Sequence, residues 1–465
     1  MKKIVIWLLC AVVLFYGAGS STSYAANKSW PKGPSGISAE GAVVMDLKSG
    51  MILYEKNMND RKYPASITKI MTTYLALENS SLSETVTYSS SATLGLEAGA
   101  SNMGLQPGEK ISMEDSLYGA MLPSANEACL GIAEHIAGNV KNFAKMMNNK
   151  AASLGCTGTH FANPNGLWQK NHYTTPHDMA LIMRAAMKNS TFRTICSTKQ
   201  HTVEKTNKSK KERIMLNHHA MVNPINYPKY GYEYAVCGKT GYTSKSGATL
   251  VTCAKKDDME LVCVVMKTKS AVQGEPNIYT DTIKLFNYCF EKFSQNNLTG
   301  QPELQQVRNL MFTNFSPFFM TSEAGIELDG GGSVILPKGV TLAEAQKSVQ
   351  YYEQPQRVNG KDVIGKLTYT YEGKEAGGGN ILYSRDTSQS LSDSINMDEW
   401  FEEAVEKANT PAFPWKVVLL LLLIAALIAG SATFVVYRAR EYQSKTRRRR
   451  SYRRLKSKDK PFYKK

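Results

Sequence analysis

The sequence predicts an α+β protein of several domains, in which an antiparallel sheet with a helical cluster precedes a small all-β domain and a C-terminal transmembrane helix. Three observations predict this class. Two hairpin patterns lie within residues 39–290, helical periodicity lies between them, and residues 417–437 form an uninterrupted apolar run. Because a chain of 465 residues exceeds the size at which a single hydrophobic core stops growing, two or more folded units are expected.

The first element is a targeting segment. Lys2 and Lys3 precede an apolar run, and the small residues Ser23 and Ala25 suit a signal-peptidase site, so residues 1–25 are predicted to be a signal peptide. The chain is therefore expected to be exported.

The first hairpin of residues 33–292 alternates around Lys48-Ser49-Gly50, and the second turns at Asp257-Asp258. The intervening segments carry apolar residues at three- and four-residue spacing, one of them opening on Thr175-Pro176 like a capped helix. This region is predicted to form one α+β domain.

The segment 294–304 is predicted to be a polar connector, and residues 305–384 contain short β-type runs separated by glycine-rich turns, which favours a small β-rich domain. Residues 391–414 are predicted to form an acidic amphipathic helix and a linker ended by prolines.

Residues 417–437 carry no charge over 21 positions, enough to cross a bilayer core, and aromatic residues stand at both edges. The tail 438–465 has fourteen Lys or Arg against two acidic residues. It therefore holds most of the formal net charge of +16, which favours a cytoplasmic tail behind a single span over a nucleic-acid surface. A buried core helix is the alternative for the apolar run.

Seven cysteines remain after the signal peptide, an odd number without CxxC spacing. They are interpreted as mostly reduced packing residues, with one disulfide possible and no metal site or cofactor expected.

Residues 63–80 are predicted to form an amphipathic helix. It carries two polar residues, Ser66 and Lys69, beside a stripe formed by Ile67, Ile70, Met71, Tyr74 and Leu75. At this spacing the two side chains are neighbours, and a desolvated lysine amine is able to take the proton of a serine hydroxyl. Pro64 places the serine at a helix start, where free backbone N–H groups can stabilise an oxyanion. A solvated Ser and Lys are the alternative, since S-x-x-K is common.

Two further elements strengthen the catalytic interpretation. Ser124 and Asn126 stand two apart at the start of a predicted helix, where a capping role is the alternative. Lys239, Thr240 and Gly241 lie on a predicted strand, where Lys and Thr can bind a carboxylate and glycine permits close approach of a substrate to the backbone.

The ordered motifs S-x-x-K, S-x-N and K-T-G resemble those of the penicillin-binding proteins and serine β-lactamases. The stretches "PASITKIMT", "MGLQPGEKISMEDSLYGAMLPSANEA", "FANPNGLWQKNHYTTPHDMA" and "GKTGYTSKSGATLV" resemble, in order, the low-molecular-mass penicillin-binding proteins that are D-alanyl-D-alanine carboxypeptidases. The resemblance is close over about residues 36–290 and looser beyond them. It implies a β-lactamase/transpeptidase-like fold and a role in peptidoglycan biosynthesis.

By this resemblance, Ser66 is the nucleophile, Lys69 its base and Ser124 a proton shuttle. Asn126 would hold a peptide group of the substrate, a peptidoglycan stem peptide, and Lys239 and Thr240 would bind its terminal carboxylate. Gly241 would let the substrate approach the backbone of the strand. The N–H groups of Ser66 and Tyr242 would form the oxyanion hole, and β-lactam antibiotics would block Ser66.

Two other functions stay open. A β-lactamase of this type often uses a glutamate in an E-x-x-x-N loop, and no such pattern occurs between Asn126 and Lys239. A non-hydrolytic β-lactam sensor would need a cytoplasmic output domain, for which the tail is too short. His160 and His172 are predicted to be structural, and Cys237 is interpreted as a packing residue.

Overall fold

The computed structural model describes residues 29–97, 99–268, 277–298, 326–329, 332–358 and 361–383. These residues all belong to the compact unit Met1–Ser390. The predicted signal peptide, amphipathic helix, transmembrane helix and basic tail lie outside the described residues. Within the described ranges, no helix combines the length and hydropathy needed to cross a bilayer.

A five-stranded antiparallel sheet forms the centre of the N-terminal part, in the order β2-β1-β9-β8-β7. Its strands are β1 (Gly41–Asp46), β2 (Ile52–Lys56), β7 (Ala235–Thr243), β8 (Gly247–Lys256) and β9 (Met259–Thr268). Both predicted hairpins are confirmed, because β1 pairs with β2 and β8 pairs with β9 across the expected turns. The β1–β9 ladder joins the two ends of this region and closes the sheet.

The helices follow from periodicity and capping. They are α1 (Lys69–Asn79), α2 (Ser90–Leu94), α3 (Met113–Met121), α4 (Asn126–Ala137), α5 (Val140–Ser153), α6 (Pro176–Ala186), α7 (Ser190–Ser197) and α8 (Asn277–Lys292). At the start of α6 the Thr175 side chain accepts a hydrogen bond from Asp178 N, with Pro176 in the first turn, as predicted. Two short ribbons, β3 (Thr85–Thr87) with β4 (Lys110–Ser112) and β5 (Gln200–Val203) with β6 (Arg213–Leu216), complete this part.

The core of the helical cluster contains the predicted apolar stripe, which runs from the turn before α1 into α1 itself. Ile67, Ile70, Met71 and Leu75 are buried, and Tyr74 is half-buried. Burying each such side chain contributes roughly 1.5–3 kcal/mol. This packing holds the first turn of α1 at a defined position beside the sheet.

A second sheet has the order β10-β12-β15-β14-β13, with β11 paired to β15. Its strands are β10 (Phe293–Asn297), β11 (Ile326–Leu328), β12 (Ser333–Pro337), β13 (Gln346–Val358), β14 (Lys361–Tyr371) and β15 (Lys374–Tyr383). The prediction of a polar connector from residue 294 was wrong at its start, because Ser294 to Asn297 lie in β10. Their polar side chains have low strand propensity, but the backbone ladder to β12 determines their conformation.

Candidate active site

The candidate nucleophile lies on a tight turn. Ser66 is half-buried in the 3₁₀ turn Ala65–Thr68, directly before α1. Ala65 has a φ of 52°, in the left-handed region that a residue with a Cβ rarely occupies. Thr249 of β8 donates a hydrogen bond to the Pro64 carbonyl at 2.9 Å. The turn is therefore strained and attached to the sheet, which fixes the direction of the serine hydroxyl.

Lys69 is fully buried beside this serine. Its Nζ lies 2.9 Å from Ser66 Oγ, 2.9 Å from Asn126 Oδ1 and 2.9 Å from the carbonyl oxygen of Asn165. A neutral amine in this geometry donates to the two carbonyl-type oxygens and keeps its lone pair for the serine proton. Burial lowers the pKa of Lys69 to about 8, against the opposing effect of nearby acidic groups. The arrangement therefore suits a general base.

The S-x-N residues lie at the start of α4. Ser124 is buried with a φ of 67°, and its Oγ has no hydrogen-bond partner among the described residues. The Asn126 side chain is engaged at both ends, since its Oδ1 accepts from Lys69 and its Nδ2 donates to the Ser101 carbonyl at 2.9 Å. Each end retains a second hydrogen-bonding position, so a substrate would share the amide with the protein.

Glu127, the next residue, holds the neighbouring loop. Its Oε1 accepts hydrogen bonds from Met103 N at 2.6 Å and from Gly104 N at 3.1 Å. Together with the Asn126–Ser101 bond, these contacts attach the loop at 101–104 to the first turn of α4. The sequence prediction did not include Glu127 as a positioning residue.

The K-T-G residues lie on β7, beside the nucleophile turn. Lys239 is buried, and its Nζ donates to the Thr240 carbonyl at 3.1 Å. Burial, and to a smaller extent the charge of Lys69, lowers the pKa of Lys239 to about 7. Thr240 is half-buried, whereas the Tyr242 side chain is 65% exposed.

Gly241 explains why this strand can approach the nucleophile. A Cβ at this position would lie 2.9 Å from Ser66 N, 3.1 Å from Ile67 N and 2.5 Å from Thr249 Oγ1. Only glycine fits between the strand and the turn without displacing backbone. The fold therefore brings together Ser66, Lys69, Asn126 and Gly241, residues up to 175 positions apart.

Sequence reasoning also missed two further residues of the site, Asn165 and Gly166. Asn165 contributes only its backbone carbonyl to Lys69, and a Cβ on Gly166 would lie 1.9 Å from the Ala65 carbonyl oxygen. Thr72 Oγ1 donates to the Pro164 carbonyl at 2.6 Å, so α1 holds this loop in place. The dipeptides Asn163-Pro164 and Asn165-Gly166 predict a turn, but nothing in a turn signal indicates that its carbonyl meets a lysine.

The prediction that His172 is structural agrees with its contacts. Its Nδ1 accepts from Ala162 N at 3.0 Å, so its Nε2 donates to Thr68 Oγ1 at 2.9 Å. Burial lowers the pKa of His172 to about 3, so the ring is neutral. His160 is hydrogen-bonded through Nδ1 to the Asn171 carbonyl.

Cys237 is fully buried, with its Sγ 3.3 Å from Met187 Sδ, as expected for a packing residue. The cysteines from 129 to 289 are all unbridged. Among the residues that the structure describes, no group of three or more His, Cys, Asp or Glu side chains is arranged to hold a metal ion.

Residues 27–270, just over half of the chain, match the D-alanyl-D-alanine carboxypeptidase family of peptidases. The chain belongs to this family. A relative from Bacillus subtilis strain 168, the D-alanyl-D-alanine carboxypeptidase DacF, is 29% identical over 298 residues, or 63% of this chain and 72% of that protein.

Solved structures agree with the family assignment. Penicillin-binding protein 5 from Haemophilus influenzae is 27% identical and superposes with a TM-score of 0.57 over 77% of this chain and 99% of its own. The Streptomyces K15 DD-transpeptidase is 31% identical, with a TM-score of 0.51, over 56% of this chain and 100% of its own. The predicted mixed antiparallel-sheet fold and the recognition of the family are thereby confirmed, and the protein is a serine peptidase of the D-alanyl-D-alanine carboxypeptidase family.

Comparing Ser124→Ala with Ser124→Gly in this carboxypeptidase is expected to distinguish the contribution of the Ser124 hydroxyl to activity from the contribution of its backbone conformation to stability. Both variants lose the unpartnered hydroxyl, so D-alanine release should fall about a thousandfold in each if Ser124 transfers a proton. Because glycine accepts a φ of 67° freely, Ser124→Gly should be more stable than Ser124→Ala by about 1 kcal/mol. Steady-state kinetics and thermal unfolding check both effects, and wild-type activity in either variant would contradict the role.

Gly166→Ala is expected to damage both stability and activity, because the new methyl group would collide with the Ala65 carbonyl. The free energy of unfolding should fall by about 3 kcal/mol or more, and kcat/KM by about a hundredfold as Ser66 shifts. Gly155→Ala is the matched control, since Gly155 also has a positive φ but open space around its Cβ position. It should cost about 1–2 kcal/mol and leave activity intact. Equal losses in the two variants would contradict the packing argument.

Proposed function

We propose that this carboxypeptidase removes the terminal D-alanine from peptidoglycan pentapeptide stems through a Ser66 acyl-enzyme, and that β-lactams inhibit it by acylating the same serine. The observation that carries the proposal is the buried Lys69 Nζ, 2.9 Å from Ser66 Oγ and held by two carbonyl-type oxygens. A serine hydroxyl needs such an adjacent base to act as a nucleophile near neutral pH.

In the acylation step, Ser66 Oγ bonds to the carbonyl carbon between the two D-alanines while its proton passes to Lys69. The N–H groups of Ser66 and Tyr242 stabilise the oxyanion. The carbon–nitrogen bond then breaks, and Ser124 delivers the proton to the leaving nitrogen. The close packing of Gly241 against Ser66 N supports this role for the strand.

In the deacylation step, water attacks the ester carbonyl, the bond to Ser66 Oγ breaks, and the serine regains a proton. Lys69 again accepts the proton of the nucleophile, now water. The shortened stem leaves with a new carboxylate, and the enzyme returns to its starting state.

Substrate binding rests on Asn126 and on the K-T-G strand. We assign the terminal carboxylate of the stem to Lys239 and Thr240, because a buried ammonium without a carboxylate partner among the described residues gains most from an incoming anion. Asn126 holds the preceding peptide group through the free positions of its amide.

The pH dependence of kcat/KM is expected to be bell-shaped with an optimum between pH 7 and 8. Lys69 is charged and unable to act as a base below its pKa of about 8, whereas Lys239 loses the charge that binds the carboxylate above its pKa of about 7. Because the two lysines interact, the apparent pKa values of the rising and falling limbs belong to the coupled pair and not to either lysine alone. In the Lys239→Arg variant the side chain stays charged, so the falling limb of its pH profile should disappear. A wild-type rate that falls steadily with increasing pH would contradict this assignment.

The decisive assay follows D-alanine release from a pentapeptide and covalent labelling by penicillin on the same preparation. We expect both. Labelling without D-alanine release would favour a non-hydrolytic sensor, and rapid repeated β-lactam hydrolysis would favour a β-lactamase.

We further infer that the enzyme is exported and held in the cell membrane by a single span at residues 417–437, with its tail in the cytoplasm. The uncharged apolar run and the basic residues directly after it support this topology. Protease treatment of intact spheroplasts should digest the catalytic region and spare the tail, and the opposite pattern would contradict the topology.

A further inference from the structure

A polar cavity of about 680 Å³ lies away from the catalytic residues, between the β1–β2 hairpin and the second sheet. We call it the basic cleft. Its walls come from the hairpin turn at 48–55, the end of α6, the N-terminal segment at 30–33 and strands β14 and β15. This volume is typical of sites that hold a small organic ligand, and such sites occur preferentially between domains.

Cations predominate in the lining of the basic cleft. Glu55, Asp329 and Glu375 are its acidic residues, and Glu375 is already paired with Lys366 at 3.0 Å. Lys48 and Lys188 are exposed, and neither forms a salt bridge with a carboxylate among the described residues. Lys48 is near enough to Asp46 to favour the charged form of that buried carboxyl. The five cationic residues are Lys48, Arg184, Lys188, Lys366 and Lys374. The excess of positive charge favours an anionic ligand.

Ser333 adds an independent observation. This residue is among those that line the basic cleft and is 1% exposed, yet its Oγ has no hydrogen-bond partner among the described residues. Buried hydroxyls are nearly always paired, so an unpaired one beside a cavity indicates a missing polar partner.

Aromatic rings and bare backbone form the remaining walls. Trp30, Tyr54 and Tyr288 line the basic cleft, and Lys374 lies over the Trp30 ring at 5.2 Å. Glycines at 377–379 leave one wall without side chains. Ring faces pack against the apolar faces of flat ligands, while cations and hydroxyls bind their polar edges. A pyranose ring that carries an acid group has both kinds of surface.

We propose that the basic cleft binds an anionic saccharide chain, so that the enzyme holds a wall polymer at a site separate from its catalytic residues. The acid group contacts Lys48 and Lys188, a sugar hydroxyl pairs with Ser333, and the ring packs on the aromatic wall. The acid is a carboxylate or a phosphodiester, and both satisfy the same contacts.

The test uses the full chain in detergent with two anionic probes, an oligogalacturonate and an oligo(glycerol phosphate), and a neutral malto-oligosaccharide as control. Because the basic tail also attracts anions, binding is read locally, by amide hydrogen exchange at 48–54 and 374–380. At least one anionic probe should slow exchange there several-fold, and the neutral sugar should not. Protection by one probe alone identifies the acid group.

Variants locate the site. Lys48→Glu with Lys188→Glu should weaken binding by about tenfold, whereas Lys141→Glu with Lys145→Glu, two exposed lysines on α5, changes net charge equally and should not. Ser333→Ala should weaken binding several-fold without loss of thermal stability. D-Alanine release from a soluble pentapeptide should stay at the wild-type rate throughout. Absence of protection by both anionic probes, equal protection by the neutral sugar, or wild-type affinity in either cleft variant would overturn the proposal.

Discussion

Ser66→Ala is expected to abolish D-alanine release and covalent penicillin labelling together. Removing the nucleophile of a serine hydrolase lowers kcat by roughly a millionfold, because no other group can form the acyl-enzyme. Thermal stability should change little, since the serine is half-buried and Lys69 retains its bonds to Asn126 and Asn165. D-Alanine release, fluorescent penicillin labelling and thermal unfolding are measured on one preparation.

Ser83→Ala serves as the control, because Ser83 is exposed and lies in a turn before β3. It should match the wild type in all three measurements. Substantial D-alanine release by Ser66→Ala would show that a different group attacks the substrate and would refute the proposed mechanism.

Lys69→Gln is expected to have the second largest effect, a fall in the acylation rate of about a thousandfold to ten-thousandfold. The glutamine amide is polar but one bond shorter than the lysine side chain, and its nitrogen has no basic lone pair, so it cannot accept the serine proton. The variant should therefore lose acylation rate, and the rising limb of its pH profile should disappear. Stopped-flow acylation by a chromogenic β-lactam from pH 5 to pH 10 measures both.

The matched control is Lys145→Gln, an exposed position on α5 where the same change in charge should leave the rate and the pH profile unchanged. A rising limb that persists in Lys69→Gln would assign the base to another group, such as Ser124 acting with Lys239.

The motifs were visible in the sequence because their spacing is local. Ser66 and Lys69 are three residues apart, Ser66 in the 3₁₀ turn and Lys69 at the first position of α1. The structure places their side chains in hydrogen-bond contact, as the spacing predicted. The apolar stripe beside them identified the buried face of α1. The hairpins at both ends of this region were also predictable, since alternation and turn residues are local signals.

Other features depend on contacts that no local pattern contains. The carbonyl of Asn165 has no side-chain signature, and its partner Lys69 is 96 residues away. The four residues from Ser294 to Asn297 were predicted as a connector because their side chains are polar, yet pairing with β12 makes them a strand. The engagement of Asn126 by both Lys69 and Ser101 also required the folded chain.

By itself, the sequence determined the family and the chemical groups available for the reaction, because order and spacing of the motifs are properties of the chain. Only the tertiary structure decided how those groups behave. Lys69 and Lys239 have pKa values of about 8 and about 7 because distant segments exclude water from both side chains. Desolvation is a property of the assembled site. The roles that we propose for Ser66 as nucleophile and Lys69 as base therefore depend on the sheet, α4 and the loop at Asn165, which together enclose the two side chains.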